Sequence, residues 1–327
     1  MNDFLVHGHR LRHLLLTAVV LFLLASCHGC APQQSERVRL GLNWKAEPEF
    51  GGFYAAQVKG LYQAHGLDVQ IIEGAANAPV LPMVAAGQLD FGIATGLEVL
   101  AARQRGADIV ALFSVYQKSP NCLMVRASSS IRSIAELMRS GYDVAVGPGQ
   151  LYVEYLQRKY HPVNVRWVPY LGGVSGLLGN PRLAQQCFVG SEPELARARG
   201  VPTRVFVVAD EGVDNISALL VTRGQLLREN QELVRRMLAA IGLGWRDYLA
   251  DPAPTHALIA RLNPAMSLSI LDTMLREQRP FMLGDATGFE RLGRLEPAMW
   301  ERLQGHMLDF GSLDKPIDLR SAYREYP

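Results

Sequence analysis

Apolar and polar positions along this chain change rhythm in a regular order. Val38, Leu40 and Leu42 alternate with other residues and predict a first strand over 38–42. Tyr54, Val58, Leu61 and Tyr62 then share one helical face, from about Phe53 until Gly66 stops the helix. Leu67, Val69 and Ile71 return to strand alternation. The cycle repeats with a helix at 79–86 closed by Gly87, a short strand at 91–94, a helix at 96–105 and a buried strand at 109–113. Strands alternating with helices of this length predict a mainly parallel sheet covered on both faces.

A second α/β section begins near Arg126. It holds helices at 134–139 and 152–160 and strands at 143–146, 165–168, 186–189 and 204–208. A strand at 216–222 carries the chain back toward the first section, and the pattern after it is nearly all helical, longest over 226–248. Two extended segments, 122–125 and 216–222, bracket the insertion and are expected to form two hinge strands. The reading is two α/β lobes: lobe 1 from 37–124 plus 223–327, and lobe 2 from 125–222.

The first residues follow a different rhythm. Arg10 and Arg12, with His9 and His13, precede an apolar run over 14–24, the order of an export signal. The run is too short to span a bilayer, since a helix rising about 1.5 Å per residue needs roughly 20 apolar residues. Leu24-Ala25-Ser26-Cys27 then resembles the bacterial lipobox. Residues 1–26 therefore read as a lipoprotein signal peptide, Cys27 as the lipidation site, and the polar 27–36 as a tether. Acyl chains contribute about 0.8 kcal/mol per buried CH₂, and more than one gives stable attachment. The competing reading is plain secretion with cleavage at the small residues; Cys30 fits the lipobox poorly.

Composition narrows the function classes. A net charge of +2 over 327 residues, with no basic block, gives no reason to expect nucleic acid. Of four cysteines, only Cys122 and Cys187 lie in the body, outside any metal-ligand spacing, so neither a metal nor another cofactor is expected. The sequence does not place them within bonding distance, and two buried apolar thiols are expected.

In open α/β sheets, ligands bind at the carboxyl ends of strands. The loops after Leu42, Ala94 and Phe113 are the places to look. In the first, Trp44 offers a flat face for stacking a heteroaromatic ring, worth about 0.5–1.5 kcal/mol beyond burial, against the alternative of an ordinary core tryptophan. Asn43 donates and accepts together, which suits a pyrimidine or amide edge, or caps its own turn. Glu47 and Phe50 share the loop, and Gly51-Gly52 let the backbone approach a ligand or simply make a tight turn. Thr95 is a hydrogen-bond partner or the cap of the following helix. Tyr116 and Gln117 follow the next strand.

In the second section, Gly147-Pro148-Gly149 leads into a helix and presents backbone N–H groups toward a polar oxygen, with Tyr152 in the first turn beyond. The loop lacks the Lys and Ser/Thr of a P-loop. Glu192 sits in Ser191-Glu192-Pro193-Glu194, which also has capping-box spacing. A carboxylate at a helix N-terminus is favourable by about 0.3–1 kcal/mol with no ligand at all. Asp214, just before the returning strand, is a weaker candidate of the same kind.

Leu42-Asn43-Trp44 through Gly51-Gly52-Phe53-Tyr54-Ala55-Ala56, with Gly60-Leu61-Tyr62, Gly66-Leu67-Asp68-Val69, the run Val84 to Gly92, and Ser191-Glu192-Pro193, resembles the NMT1/THI5-like family of solute-binding proteins. The resemblance implies a type II periplasmic binding protein fold, two α/β lobes joined by two hinge strands that close over a ligand. It implies delivery of thiamin pyrimidine precursors, riboflavin or alkyl sulfonates to an ABC permease with its ATPase. A related fungal pyrimidine synthase needs a Lys and a His at positions occupied here by Ala94 and Glu98, and a cysteine-rich cluster that this sequence lacks.

The expectation is a non-enzymatic, monomeric, lipid-anchored importer component on the periplasmic face of a bacterial membrane. Its ligand is a small heteroaromatic of the formylaminopyrimidine type. Riboflavin and alkyl sulfonates are the alternatives, with a synthase further behind.

Overall fold

The computed structural model describes residues 35–75, 78–284 and 288–325. The expected signal peptide, Cys27 and most of the tether lie outside the described residues. Among the described residues, ten strands form two five-stranded sheets. Strands β1 (Glu36–Gly41), β2 (Leu67–Ile72), β3 (Phe91–Ala94) and β4 (Ile109–Ser114) belong to the first; β5 (Asn121–Arg126), β6 (Asp143–Val146), β7 (Arg166–Pro169), β8 (Leu183–Phe188) and β9 (Thr203–Val207) make up the second. β10 (Leu219–Arg223) returns to the first sheet, giving the orders β2-β1-β3-β10-β4 and β7-β6-β8-β5-β9.

Each sheet contains a strand that runs against its neighbours, and in each case it is the strand by which the chain arrives from the other lobe. β10 is antiparallel to both β3 and β4, and β5 is antiparallel to both β8 and β9. β1 with β3, and β6 with both β7 and β8, pair in parallel. A strand entering from the facing lobe starts at the end where the parallel strands finish. The amino ends of β5 and β10 and the carboxyl ends of β1, β3, β6, β7 and β8 therefore share one edge, the cleft.

This pairing moves the expected lobe limits. Cys122 to Arg126 hydrogen-bond into the second sheet, and Leu219 to Thr222 into the first, so the boundaries at 124/125 and 222/223 are not where the chain crosses. It crosses over 115–120 and 208–218, and neither segment is a strand. Polar side chains knit them together. The Ser119 N–H donates to Asp214 Oδ2 at 2.8 Å, Ser119 Oγ lies 2.8 Å from Ser217 Oγ, and Asn121 Nδ2 donates to Asn215 Oδ1 at 3.2 Å. Ile216 and Ala218 have φ of 50° and 53°, the left-handed region that a β-branched residue rarely enters. Hydrogen bonds from the Ile216 N–H to Asp214 Oδ1 and from the Gly96 N–H to the Ile216 carbonyl hold that backbone in place.

The first loop also resolves differently from its expected form. A single 3₁₀ turn over Pro48–Phe50 runs straight into a helix, Gly51–Val58, so the glycine pair is helical rather than a loop. Gly51 has φ −56°, which any residue adopts. The pair is small because the Gln231–Ala250 helix lies on top of it, with Trp245 and Tyr248 fully buried. A Cβ on Gly51 would fall 2.0 Å from the Tyr248 ring, and one on Gly52 2.1 Å from that of Trp245.

Cys122 and Cys187 are a disulfide and not two free thiols. The β5–β8 register sets them directly opposite one another with Cα atoms 5.0 Å apart, inside the 4.4–6.8 Å range that a bridge spans. They close a loop of 65 residues, which on the chain-entropy account stabilises the fold by about 4 kcal/mol. The Cys122→Ala/Cys187→Ala double variant is expected to show that loss in urea titrations at 25 °C. An unchanged midpoint would mean that the bridge adds nothing. Among the described residues, no helix is long and apolar enough to cross a membrane.

Candidate functional site

The shared edge of the two sheets encloses a cavity of about 360 Å³. Its walls follow from topology. Asn43, Trp44, Glu47 and Glu49 come from the loop after β1, Thr95 follows β3, Gly147 and Gly149 follow β6, and Tyr170 follows β7. Gln186, Cys187 and Phe188 end β8, Ser191 and Glu192 begin the next helix, Asn121 begins β5, and Asn215, Ser217 and Ala218 belong to the second crossing. Four carboxylates, Glu47, Glu49, Glu98 and Glu192, line this space, and among the described residues it has no arginine, lysine or histidine in its wall.

Glu47 is the centre of the arrangement. It is only 7% exposed, and it links the lobes. Its Oε1 accepts from Trp44 Nε1 at 3.2 Å within the first lobe, and its Oε2 accepts from Ser191 Oγ at 2.9 Å across the cleft. The indole N–H being engaged, what Trp44 has left to offer a ligand is its π face. Burial, followed by the nearby Glu192 carboxylate, pushes the Glu47 carboxyl up to about 8. Burial, then Glu47 and Glu192, likewise raises Glu49, which has no hydrogen-bond partner among the described residues.

Glu192 faces the cavity from the second lobe. Its Oε1 accepts from Tyr170 Oη at 2.9 Å and its Oε2 from the Phe188 N–H at 2.8 Å. Burial raises its carboxyl, and these donors partly offset the rise. The capping-box spacing at Ser191 is not used: the Ser191 side chain makes no cap hydrogen bond, turns instead to Glu47, and Glu194 pairs with Arg197. Tyr152 is 4% exposed and lines the cavity with no partner for its hydroxyl among the described residues.

Eight of the thirteen ligand-site candidates from the sequence meet here: Asn43, Trp44, Glu47, Thr95, Gly147, Gly149, Tyr152 and Glu192. Besides Trp44, Glu47 and Glu192, two more of them are already engaged. Thr95 caps its helix in a full capping box with Glu98, its N–H 2.8 Å from Glu98 Oε2. The Gly147 N–H donates to Gln186 Oε1, so it is not free for an anion.

Five candidates lie elsewhere. Phe50 turns into the core, and Gly51 lies under the Gln231–Ala250 helix. Tyr116 is fully buried, with its hydroxyl 2.9 Å from Gln278 Oε1, and Gln117 Nε2 donates to the Arg294 carbonyl at 3.2 Å. Both follow β4, which β10 separates from β3, so the loop after β4 feeds the crossing rather than the cavity. Asp214 holds the crossing backbone.

Sequence reasoning passed over Glu49, Asn121, Tyr170, Gln186 and Phe188. The strand-end rule that selects Gly147 also selects Tyr170, two residues past the expected strand at 165–168. Gln186 and Phe188 alternate on a strand whose end was not taken as cleft. Asn121 needed the knowledge that β5 is antiparallel.

A family model described as NMT1/THI5 like matches residues 47–157 and 183–255. The riboflavin-binding protein RibY of Chloroflexus aurantiacus is 24% identical, aligned over 96% of this chain and 97% of its own. The 4-amino-5-hydroxymethyl-2-methylpyrimidine phosphate synthase of Candida albicans is 22% identical over 72% of this chain and 74% of its own. Among solved structures, the periplasmic aliphatic sulphonate binding protein SsuA of Escherichia coli superposes with a TM-score of 0.69 at 15% identity, covering 88% of this chain and 91% of that one. The chain has the periplasmic-binding-protein fold.

Proposed function

The chain belongs to the NMT1/THI5-like family, and from that premise we propose that it is the extracytoplasmic solute-binding component of an ABC importer, capturing a small heteroaromatic rich in N–H donors, of the aminopyrimidine kind. One observation carries the choice of ligand. The cavity sets the Trp44 indole beside Glu47, Glu49 and Glu192 and has no arginine, lysine or histidine in its described wall. A sulfonate is an anion and wants N–H donors; here it meets acceptors. A flat ring with amino and ring N–H groups finds a stacking face and carboxylate partners together.

A binder and not a synthase is the reading that these residues favour. The position where the synthase pattern needs an amine is Ala94, buried at the end of β3, and Glu98 is held in its capping box with Thr95. A transport role puts the protein outside the cytoplasm, consistent with the Cys122–Cys187 bridge. Lipidation at Cys27, a monomeric state and docking onto a permease with its ATPase belong to the same proposal. A second reading, an isoalloxazine ligand, has the end-to-end similarity to RibY behind it.

Calorimetric titration with a 4-aminopyrimidine, riboflavin and an alkyl sulfonate separates these readings. The aminopyrimidine is expected to bind, and binding of the sulfonate alone would overturn the heteroaromatic assignment. Trp44→Ala is expected to weaken the bound ring by about 10- to 100-fold, from lost stacking and lost apolar burial. An unchanged affinity would remove the stacking role.

A further inference from the structure

Resting on that reading, we infer that the cavity takes its ligand as a cation, and that the cation displaces a proton held between Glu47 and Ser191. Three observations converge on this exchange. Glu47, Glu49 and Glu192 face one cavity, yet among the described residues no cation lines it to neutralise them. Tyr152, nine-tenths buried, lines the same space, and its hydroxyl has no partner among the described residues. Finally, the hydrogen-bond pattern around Glu47 leaves one position for a proton.

That position follows from donor chemistry. An indole N–H only donates, so Glu47 Oε1, 3.2 Å from Trp44 Nε1, must be an acceptor in every protonation state. A serine hydroxyl donates or accepts. At 2.9 Å, Glu47 Oε2 and Ser191 Oγ keep their bond whichever of them carries the hydrogen. A neutral Glu47 therefore donates from Oε2 to Ser191, and loss of that proton reverses the bond by rotation of the Ser191 hydroxyl hydrogen, with no heavy atom moved.

The groups facing Glu47 favour retention of the proton when the site is empty. They are Glu49 from its own loop and Glu192 from the helix across the cleft, with Tyr116 and Tyr170 beside them. Lys45 is the one nearby cation that opposes, and it is exposed. Burial already raises the proton affinity of Glu47. Clustered buried carboxylates cannot all ionise unless a positive charge joins them. A ligand ammonium or amidinium supplies that charge. The proton leaves Glu47 Oε2 for solvent, and the charge of the site is unchanged by the exchange.

Two probes test the inference: a 4-amino-2-methylpyrimidine carrying a 5-aminomethyl group, cationic at neutral pH, and its neutral 5-hydroxymethyl counterpart. Titration calorimetry at pH 7 in buffers of differing ionisation enthalpy reads the protons released. The aminomethyl probe is expected to bind about tenfold or more tightly than the hydroxymethyl one, as charge-assisted bonds exceed neutral ones. It is expected to release a substantial fraction of one proton. Glu47→Gln, isosteric and unable to titrate, is expected to abolish the release and shrink the preference for the cation. Glu49→Gln serves as the second variant, expected to reduce that preference with Glu47 left in place.

Equal affinities, or binding without proton release in the unmodified protein, would overturn the inference and leave the heteroaromatic reading standing. Binding of neither probe, with the protein folded by circular dichroism, would overturn both.

Discussion

Gly52→Val is expected to leave no folded protein at 25 °C, measured as loss of the cooperative urea transition. The reason is the approach of two helices. A Cβ on Gly52 lies 2.1 Å from the Trp245 ring, and from the other side a Cβ on Gly244 lies 2.4 Å from the Gly52 carbonyl oxygen and 2.8 Å from the Ala56 Cβ. Trp245 is fully buried, and its ring packs edge-on against both Phe53 and Tyr248 at centroid distances of 5.7 and 5.9 Å. The ring has no open space to move into. Overpacking a core by a methylene or so typically costs about 1–3 kcal/mol. Three added carbons against a fully buried aromatic ring exceed that and approach the whole stability of a typical domain, roughly 5–15 kcal/mol.

The control is Gly60, whose φ of 67° is left-handed but whose Cβ would meet nothing within 4 Å. Gly60→Ala is expected to cost only about 1–2 kcal/mol of backbone strain. A folded, fully stable Gly52→Val protein would refute the packing account. The same packing carries the site, because the loop holding Trp44 and Glu47 is anchored at its far end by the helix that begins at Gly51.

What could be read from the sequence, and what could not, divides along one line. Asn43, Thr95 and Gly147 were legible because each follows a strand that pairs in parallel with a neighbour, and the strand-end rule needs only local order. The glycine pair was legible as special but not as to why, since the reason lies in Trp245 and Tyr248, about 190 residues onward. Tyr116 and Gln117 obeyed the same local rule and fell outside the cavity because β10 intervenes between β3 and β4. Cys122 and Cys187 required the register of β5 against β8. The bond between Glu47 and Ser191 required the relative placement of two lobes. Long-range register and lobe geometry leave no periodic trace in a single chain, whereas strand, helix and loop order does.

The ligand-free protein is expected to lose stability as pH rises from about 5 to about 8.5, and Glu47→Gln is expected to reduce that slope. Its sign follows from the direction in which burial moves the carboxyl. In the folded state Glu47 is pushed up to about 8 from its ordinary 4.5, so the folded protein holds a proton that the unfolded chain gives up. Below the unfolded value both states are protonated and the group has no effect. As pH climbs, unfolding releases the proton, and stability falls until the folded carboxyl itself ionises near 8. At about 1.4 kcal/mol for each tenfold difference in proton affinity, the loss for Glu47 is at most about 5 kcal/mol. Glu49, raised in the same direction, adds to it.

Thermal melts of the unmodified protein and Glu47→Gln at half-unit steps from pH 5 to pH 9 read the difference directly. Near pH 5 the glutamine variant is expected to match the parent or fall slightly below it, since the neutral carboxyl donates to Ser191 as the amide also can. Near pH 8.5 the variant is expected to be the more stable of the two. If the parent instead gained stability over this range relative to the variant, Glu47 would be ionised in the folded state at neutral pH, and the cavity would already contain a compensating charge. Adding a cationic ligand at saturating concentration to the parent is expected to flatten its curve in the same way, because the ligand then fills the role that the proton otherwise plays.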